Sequence, residues 1–205
     1  MIVILDYGVG NVSSIANMLK KNSIPCIITK DFEELINAEK IILPGVGHFD
    51  FCMNQLRKAP FYETLELIAR EGEKTILGIC VGCQMLMENS EEGNEKGLGW
   101  IKGKVVKFDN KKMPVQNRIP HMGWCDIRPK QKSLFYQGIN EPRFYFAHSY
   151  HVICEDESNV TATAEYGYEF TASIQFNNIM GVQFHPEKSH SFGMKLYSNF
   201  VNNNL

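Results

Sequence analysis

The chain has 205 residues and a formal net charge of −2, with an isoelectric point near 6.3, so no global field draws it to nucleic acid or to a membrane surface. No apolar run approaches the ~18 residues a membrane span needs, and no positively charged segment precedes an apolar stretch at the N-terminus. The expectation is a cytoplasmic protein of one domain, residues 1–205, with reduced thiols.

In chain order, Ile2 to Leu5 reads as a strand, Val12 to Lys21 as a helix, Cys26 to Thr29 as a strand, Phe32 to Asn37 as a short helix and Ile41 to Leu43 as a further strand. A helical stripe through Leu65 and Ile68 precedes a buried strand beginning at Lys74, and Gln84 to Glu88 reads as the start of a helix. Beyond Lys104 the texture turns β-rich: Val105 to Phe108, Phe144 to Phe146, Val160 to Ala164, and a hairpin from Thr171 to Phe184 turning at Asn177-Asn178. A helix from Ser191 to Val201 closes the chain. Alternating strands and helices predict an α/β fold in three layers, a mostly parallel central sheet with helices on both faces and a β-rich C-terminal half. A ligand site is expected at the carboxyl ends of the parallel strands.

Two motifs carry chemistry. Gly78-Ile79-Cys80-Val81-Gly82 is the cysteine form of a nucleophile elbow, a strained strand-to-helix turn whose central side chain projects above the sheet. A thiol at a helix N-terminus is also favoured as thiolate. His185-Pro186-Glu187 supplies a base and an orienting carboxylate. Pro186 keeps His185 extended, and residues two apart then project to the same side. The predicted triad is Cys80, His185 and Glu187. The residue after the nucleophile, Val81, is expected to give one oxyanion N–H, and the Pro44-Gly45-Val46-Gly47 loop, through Val46 and Gly47, a second.

Around these residues the sequence resembles the class I glutamine amidotransferases, and within them the glutaminase subunits of imidazole glycerol phosphate synthase. LDYGVGNVSSI, LPGVGHF, GICVGCQMLMENSEEG, GLGWI, IPHMGW, FYFAHSYHV and GVQFHPEKS occur in family order. The resemblance implies that Cys80 attacks the side-chain amide of glutamine, with Gly45, Gly47, Gln84, Ser149 and Tyr150 holding the substrate and no cofactor or metal. On the residues alone, the favoured readings are a strand-to-helix turn for Gly45 and Gly47 and ordinary strand positions for Ser149 and Tyr150. The resemblance also implies a heterodimer with a (β/α)8-barrel cyclase of the HisF type, met through Met122, Trp124, Tyr145 and Lys188. Ammonia would pass to that partner, yielding imidazole glycerol phosphate and an aminoimidazole carboxamide ribotide in histidine biosynthesis.

Other readings compete. Cys80-Val81-Gly82-Cys83 has the spacing of a thioredoxin-like redox pair, although that leaves His185 and Glu187 without a purpose. Gly8-Val9-Gly10 lacks the third glycine of a dinucleotide fingerprint, Ser13 standing in its place. His148 and His151, three apart on one apparent strand, face opposite sides and are read as one packed and one exposed imidazole, and Cys26, Cys52, Cys125 and Cys154 as buried small hydrophobes. Cys125 and Cys83 stand where the family commonly has asparagine and methionine. Alternative roles are a paralogous glutaminase serving bacterial surface-sugar amidation, a free-standing γ-glutamyl thiol hydrolase, or a regulatory binding module.

Overall fold

A computed structural model describes residues 1–114, 117–130 and 133–202. The elements are β1 (Ile2–Leu5), α1 (Val12–Lys21), β2 (Cys26–Thr29), α2 (Phe32–Ile36), β3 (Lys40–Gly45), α3 (Phe49–Arg57), α4 (Tyr62–Glu71), β4 (Thr75–Cys80), α5 (Val81–Met85), β5 (Asn89–Ser90), β6 (Gly103–Lys107), β7 (His121–Pro129), β8 (Arg143–His148), β9 (Tyr150–Cys154), β10 (Val160–Tyr166), β11 (Tyr168–Phe176), β12 (Ile179–Val182) and α6 (His190–Asn202).

Nine strands form one mixed sheet in the order β2-β1-β3-β4-β12-β11-β10-β7-β8. The pairings from β2 to β12 are parallel and those from β12 to β8 antiparallel, so the β-rich second half extends the central sheet and does not form a layer of its own. β5, β6 and β9 make a small second sheet. The expected α/β layering is present: α1 packs with α6, α2 with α4 and α3 with α5. β1, β4 and β12 are buried at every residue, as a strand covered on both faces must be.

Local chemistry sets the element ends. Asn11 and Asp31 accept backbone N–H groups at the starts of α1 and α2, and His48 Nδ1 caps α3. Gly72, left-handed at φ 77°, ends α4. The two-residue turn Asn177-Asn178 joins β11 to β12, with Asn177 at φ 51°, as the hairpin reading required.

The structure differs from the sequence reading in a few places. The helix expected from Gln84 instead starts at Val81, directly after the nucleophile position, and ends at Met85. His148 and His151 lie on different strands, β8 and β9, and both are buried, because the chain crosses from the large sheet to the small one between them. Cys52 and Cys154 are buried, but Cys26 and Cys125 are only partly so. All six cysteines are free.

Candidate active site

Cys80 ends β4 with φ 54° and ψ −111°, an unfavourable backbone region for a residue with a Cβ. Backbone packing around it leaves no room for side chains. A Cβ on Gly45 would sit 2.2 Å from the Gly82 nitrogen, one on Gly78 2.6 Å from the Gly82 carbonyl oxygen, and one on Gly82 2.1 Å from the Leu43 oxygen. These three contacts bring β3, β4 and the first turn of α5 together and hold the strained turn in place.

His185 follows β12, and its backbone N–H donates to the Tyr145 carbonyl of β8 at 2.8 Å. Its Nδ1 lies 2.7 Å from Glu187 Oε1, and both side chains are almost fully buried. The backbone of His185 is extended, as Pro186 dictates, but Glu187 reaches the imidazole from a 3-10 turn over Pro186–Lys188. With Nδ1–H directed at the carboxylate, Nε2 is left for Cys80. Burial alone would lower the His185 pKa, yet the Cys80 sulfur, and then Glu187, raise it to about 10. The imidazole is thus set to hold a proton between the sulfur and the carboxylate.

These groups line a cavity of about 260 Å³ walled by Val46, Gly47, Cys80, Val81, Gln84, Glu92, His148, Ser149, Tyr150, His185 and Lys188, among others. It lies at the carboxyl ends of β3 and β4, where the parallel strands predicted it. Of the proposed site residues, Gly45 is buried behind the cavity against Gly82, and Glu187 lies behind His185. Gln84 is present, but its Nε2 is committed to the Tyr150 carbonyl at 3.0 Å and to Gln183 Oε1 at 3.1 Å. The Val46 carbonyl accepts the Cys52 thiol at 3.6 Å, which turns the Gly47 N–H to the opposite side of that planar peptide. The Tyr7 hydroxyl donates to the Pro44 carbonyl, a second brace on the same loop.

Sequence reasoning missed Glu92 and His148. Glu92 comes to the cavity because Asp50 of α3 accepts the Asn94 and Glu95 N–H groups at 3.0 Å each and because Glu92 Oε2 accepts the Phe49 N–H at 2.9 Å. Glu92 already stood inside the quoted run ending Glu88-Asn89-Ser90-Glu91-Glu92-Gly93, but three glutamates occur there and spacing did not single one out.

Met122, Trp124, Tyr145 and Lys188 form a surface beside the cavity mouth. Trp124 pairs with Tyr145 and Met122 with Ala147 across β7 and β8. Lys188 Nζ lies 5.7 Å from the Tyr145 ring centroid, and Trp124 stacks on His190 at 5.5 Å. Met122 is 64% exposed and Trp124 38%, an apolar surface of the kind that marks contact sites. Cys125 faces the other way, its thiol bonded to the Glu165 carbonyl at 3.4 Å.

The Cys80/Cys83 redox reading loses its second thiol. Cys83 is fully buried, burial pushes its pKa well above the ordinary value, and its sulfur would lie 2.5 Å from a Cβ on Gly181. Among the described residues no group of three His, Cys, Asp or Glu side chains is placed to hold a metal ion, and no helix is long and apolar enough to cross a membrane.

The family model described as glutamine amidotransferase class-I matches residues 3–204. The chain belongs to the class I glutamine amidotransferase family. Similar relatives include a Methanococcus maripaludis protein named imidazole glycerol phosphate synthase subunit HisH 2, 48% identical over 202 residues and 98% of each chain. A Bdellovibrio bacteriovorus protein named imidazole glycerol phosphate synthase subunit HisH is 45% identical over 203 residues, again 98% of each. Among solved structures, a crystal structure of a glutamine amidotransferase superposes with TM-score 0.75 at 18% identity, covering 97% of this chain and 96% of that one. PurLQS from Thermotoga maritima superposes at 0.71 and 21%, covering 98% and 97%. These two likenesses show the amidotransferase fold. In this amidotransferase the elbow cysteine and His185 line one cavity, with Glu187 behind the imidazole.

Proposed function

We propose that this cavity hydrolyses glutamine to glutamate and ammonia through a thioester on Cys80. The observation that carries the reading is the buried imidazole held between the Cys80 sulfur and the Glu187 carboxylate at a strained elbow. Cys80 attacks the amide carbon, and the oxyanion is held by the N–H groups of Val81 and the Val46-Gly47 segment. His185 gives its proton to the departing ammonia, then takes one from the water that opens the thioester, while Glu187 fixes its tautomer. The free carboxylate oxygen of Glu92 suits the α-ammonium of the substrate, and Ser149, Tyr150 and Gln84 complete the wall.

On this reading the cavity releases ammonia, and none of four other cavities among the described residues brings a cysteine and a histidine together. Ammonia in bulk water near neutral pH is largely ammonium, which is no nucleophile, so a covering partner serves the chemistry. The relatives are named as subunits of imidazole glycerol phosphate synthase, and the partner proposed on that ground is a HisF-type (β/α)8-barrel cyclase, joined as a heterodimer in histidine biosynthesis, with imidazole glycerol phosphate and an aminoimidazole carboxamide ribotide as the proposed products. The Met122, Trp124, Tyr145 and Lys188 surface beside the cavity mouth is the proposed docking face. Ammonia release from glutamine, compared with asparagine and γ-glutamyl peptides, tests the reading. Release confined to glutamine supports it, and faster turnover of the peptides replaces it with a γ-glutamyl hydrolase.

A further inference from the structure

Gln183, fully buried between β12 and His185, is not used by the mechanism above, yet its Nε2 lies 3.9 Å from Cys80 Sγ, within reach for a large sulfur acceptor. Its backbone is fixed by an N–H bond to the Ala172 carbonyl at 2.9 Å. Which end of its carboxamide meets the sulfur is decided by neighbours. Gln84 Nε2 donates to Gln183 Oε1 at 3.1 Å and, with its other hydrogen, to the Tyr150 carbonyl at 3.0 Å. That carbonyl is also bonded to His148 Nδ1 at 2.8 Å. A carbonyl can only accept, so His148 Nδ1 carries a hydrogen and its Nε2, 3.2 Å from His121 Nδ1, accepts. Each group thereby has one allowed orientation, and the run of bonds from His121 through His148, Tyr150 and Gln84 leaves the Gln183 nitrogen facing the sulfur. Flipping the Gln183 amide would forfeit the Gln84 bond and set an oxygen against a thiolate.

We propose that Gln183 is a positioning residue for the nucleophile, donating an N–H to the Cys80 thiolate once the thiol proton has moved to His185. The Ala147 carbonyl, 4.0 Å from the same sulfur, accepts only from the protonated thiol, so it favours the thiol while Gln183 favours the thiolate. Gln183 and Gln84 then act as one pair: Gln84 borders the substrate and orients the donor behind the nucleophile.

The inference rests on Cys80 being the nucleophile, and the test separates the two ideas. The rate of Cys80 alkylation by iodoacetamide is followed against pH for the parent, Gln183→Met and Gln183→Glu, with Cys83→Ser as background and circular dichroism to confirm folding. Bonds to charged groups contribute about 1.5–3 kcal/mol, and the long N···S distance favours the low end. The alkylation midpoint of Gln183→Met should therefore rise by about one pH unit. Gln183→Glu, equal in shape but lacking the amide N–H and carrying an ionisable carboxyl against the sulfur, should also shift the profile upward, and glutamine turnover should fall about tenfold in kcat with KM little changed. Folded variants that alkylate with the parent's pH profile would overturn the role of Gln183 while leaving Cys80 as nucleophile. Loss of the Gln183→Met fold leaves the isosteric Gln183→Glu to decide. Should the parent label elsewhere than Cys80, it is the hydrolysis reading itself that fails.

Discussion

Two cysteines three residues apart share one turn and have opposite environments. Cys80 faces the cavity beside His185, whereas Cys83 points into the core. Cys80→Ser should therefore lower ammonia release by roughly a thousandfold or more, and Cys83→Ser should leave it within about twofold; equal losses in a side-by-side assay would contradict this. His185 sets a pH signature on stability. Its folded pKa of about 10 lies above its ordinary value of about 6.5, so the folded state holds the extra proton. The stabilisation is complete below about pH 6.5 and is lost as pH rises toward 10. Urea unfolding across that window should show falling stability in the parent and a flatter dependence in Glu187→Gln. The same substitution should lower kcat by about a hundredfold or more through loss of tautomer control.

At the scale of elements, the sequence made the elbow legible because glycine spacing is a backbone requirement: strand β3, strand β4 and helix α5 meet through Gly45, Gly78 and Gly82. Gly82→Ala should therefore cost about 1–3 kcal/mol or prevent folding, read as a lowered urea midpoint. The parallel half of the sheet was legible too, from its apolar runs. Strand β7 was not, since its exposed face carries Met122, Trp124 and Asp126 and its pattern reads as packing or loop. Helix α3 was missed although Phe49, Cys52, Met53 and Leu56 form an unbroken buried stripe at helical spacing. Spacing also assigned His148 and His151 to one strand, although Ser149 separates two sheets. The outcome is a buried aromatic cluster in which His121 stacks between Phe146 and Tyr166 at 5.1 and 4.0 Å and His151 lies 3.2 Å from the Tyr168 hydroxyl. Burial lowers the pKa of His121 and of His151 to about 4, and holds that of His148 well below its ordinary value. For these groups the sign reverses: the unfolded chain takes up protons first, so stability present above about pH 6.5 is lost as pH falls toward 4. Each contributes a slope of up to about 1.4 kcal/mol per pH unit, and His151→Phe should remove one such contribution in acid titrations. Asp50 tests a connection between elements, because it pins the loop carrying Glu92. Asp50→Ala should raise KM for glutamine about tenfold with a smaller change in kcat.

For the whole molecule, the cavity opens beside an exposed Trp124 and Met122 surface, so on the proposed reading catalysis and docking lie side by side. The chain alone is expected to hydrolyse glutamine slowly and to be accelerated by its liganded cyclase. Trp124→Ala should weaken that complex by about 2 kcal/mol or more while leaving the basal rate unchanged, as calorimetry and ammonia assays would show together. Deletion of the gene should produce histidine auxotrophy; growth without histidine would redirect the partner toward a paralogue such as one in surface-sugar amidation. The fold alone does not decide among amidotransferase acceptors.

The most direct measurement is affinity labelling with a glutamine analogue bearing a diazoketone in place of the side-chain amide, followed by peptide mapping. The account predicts a single adduct on Cys80, formed in step with loss of ammonia release, slowed by glutamine and absent in His185→Ala at neutral pH. An adduct on another residue, or full glutaminase activity in a chain quantitatively labelled at Cys80, would contradict it.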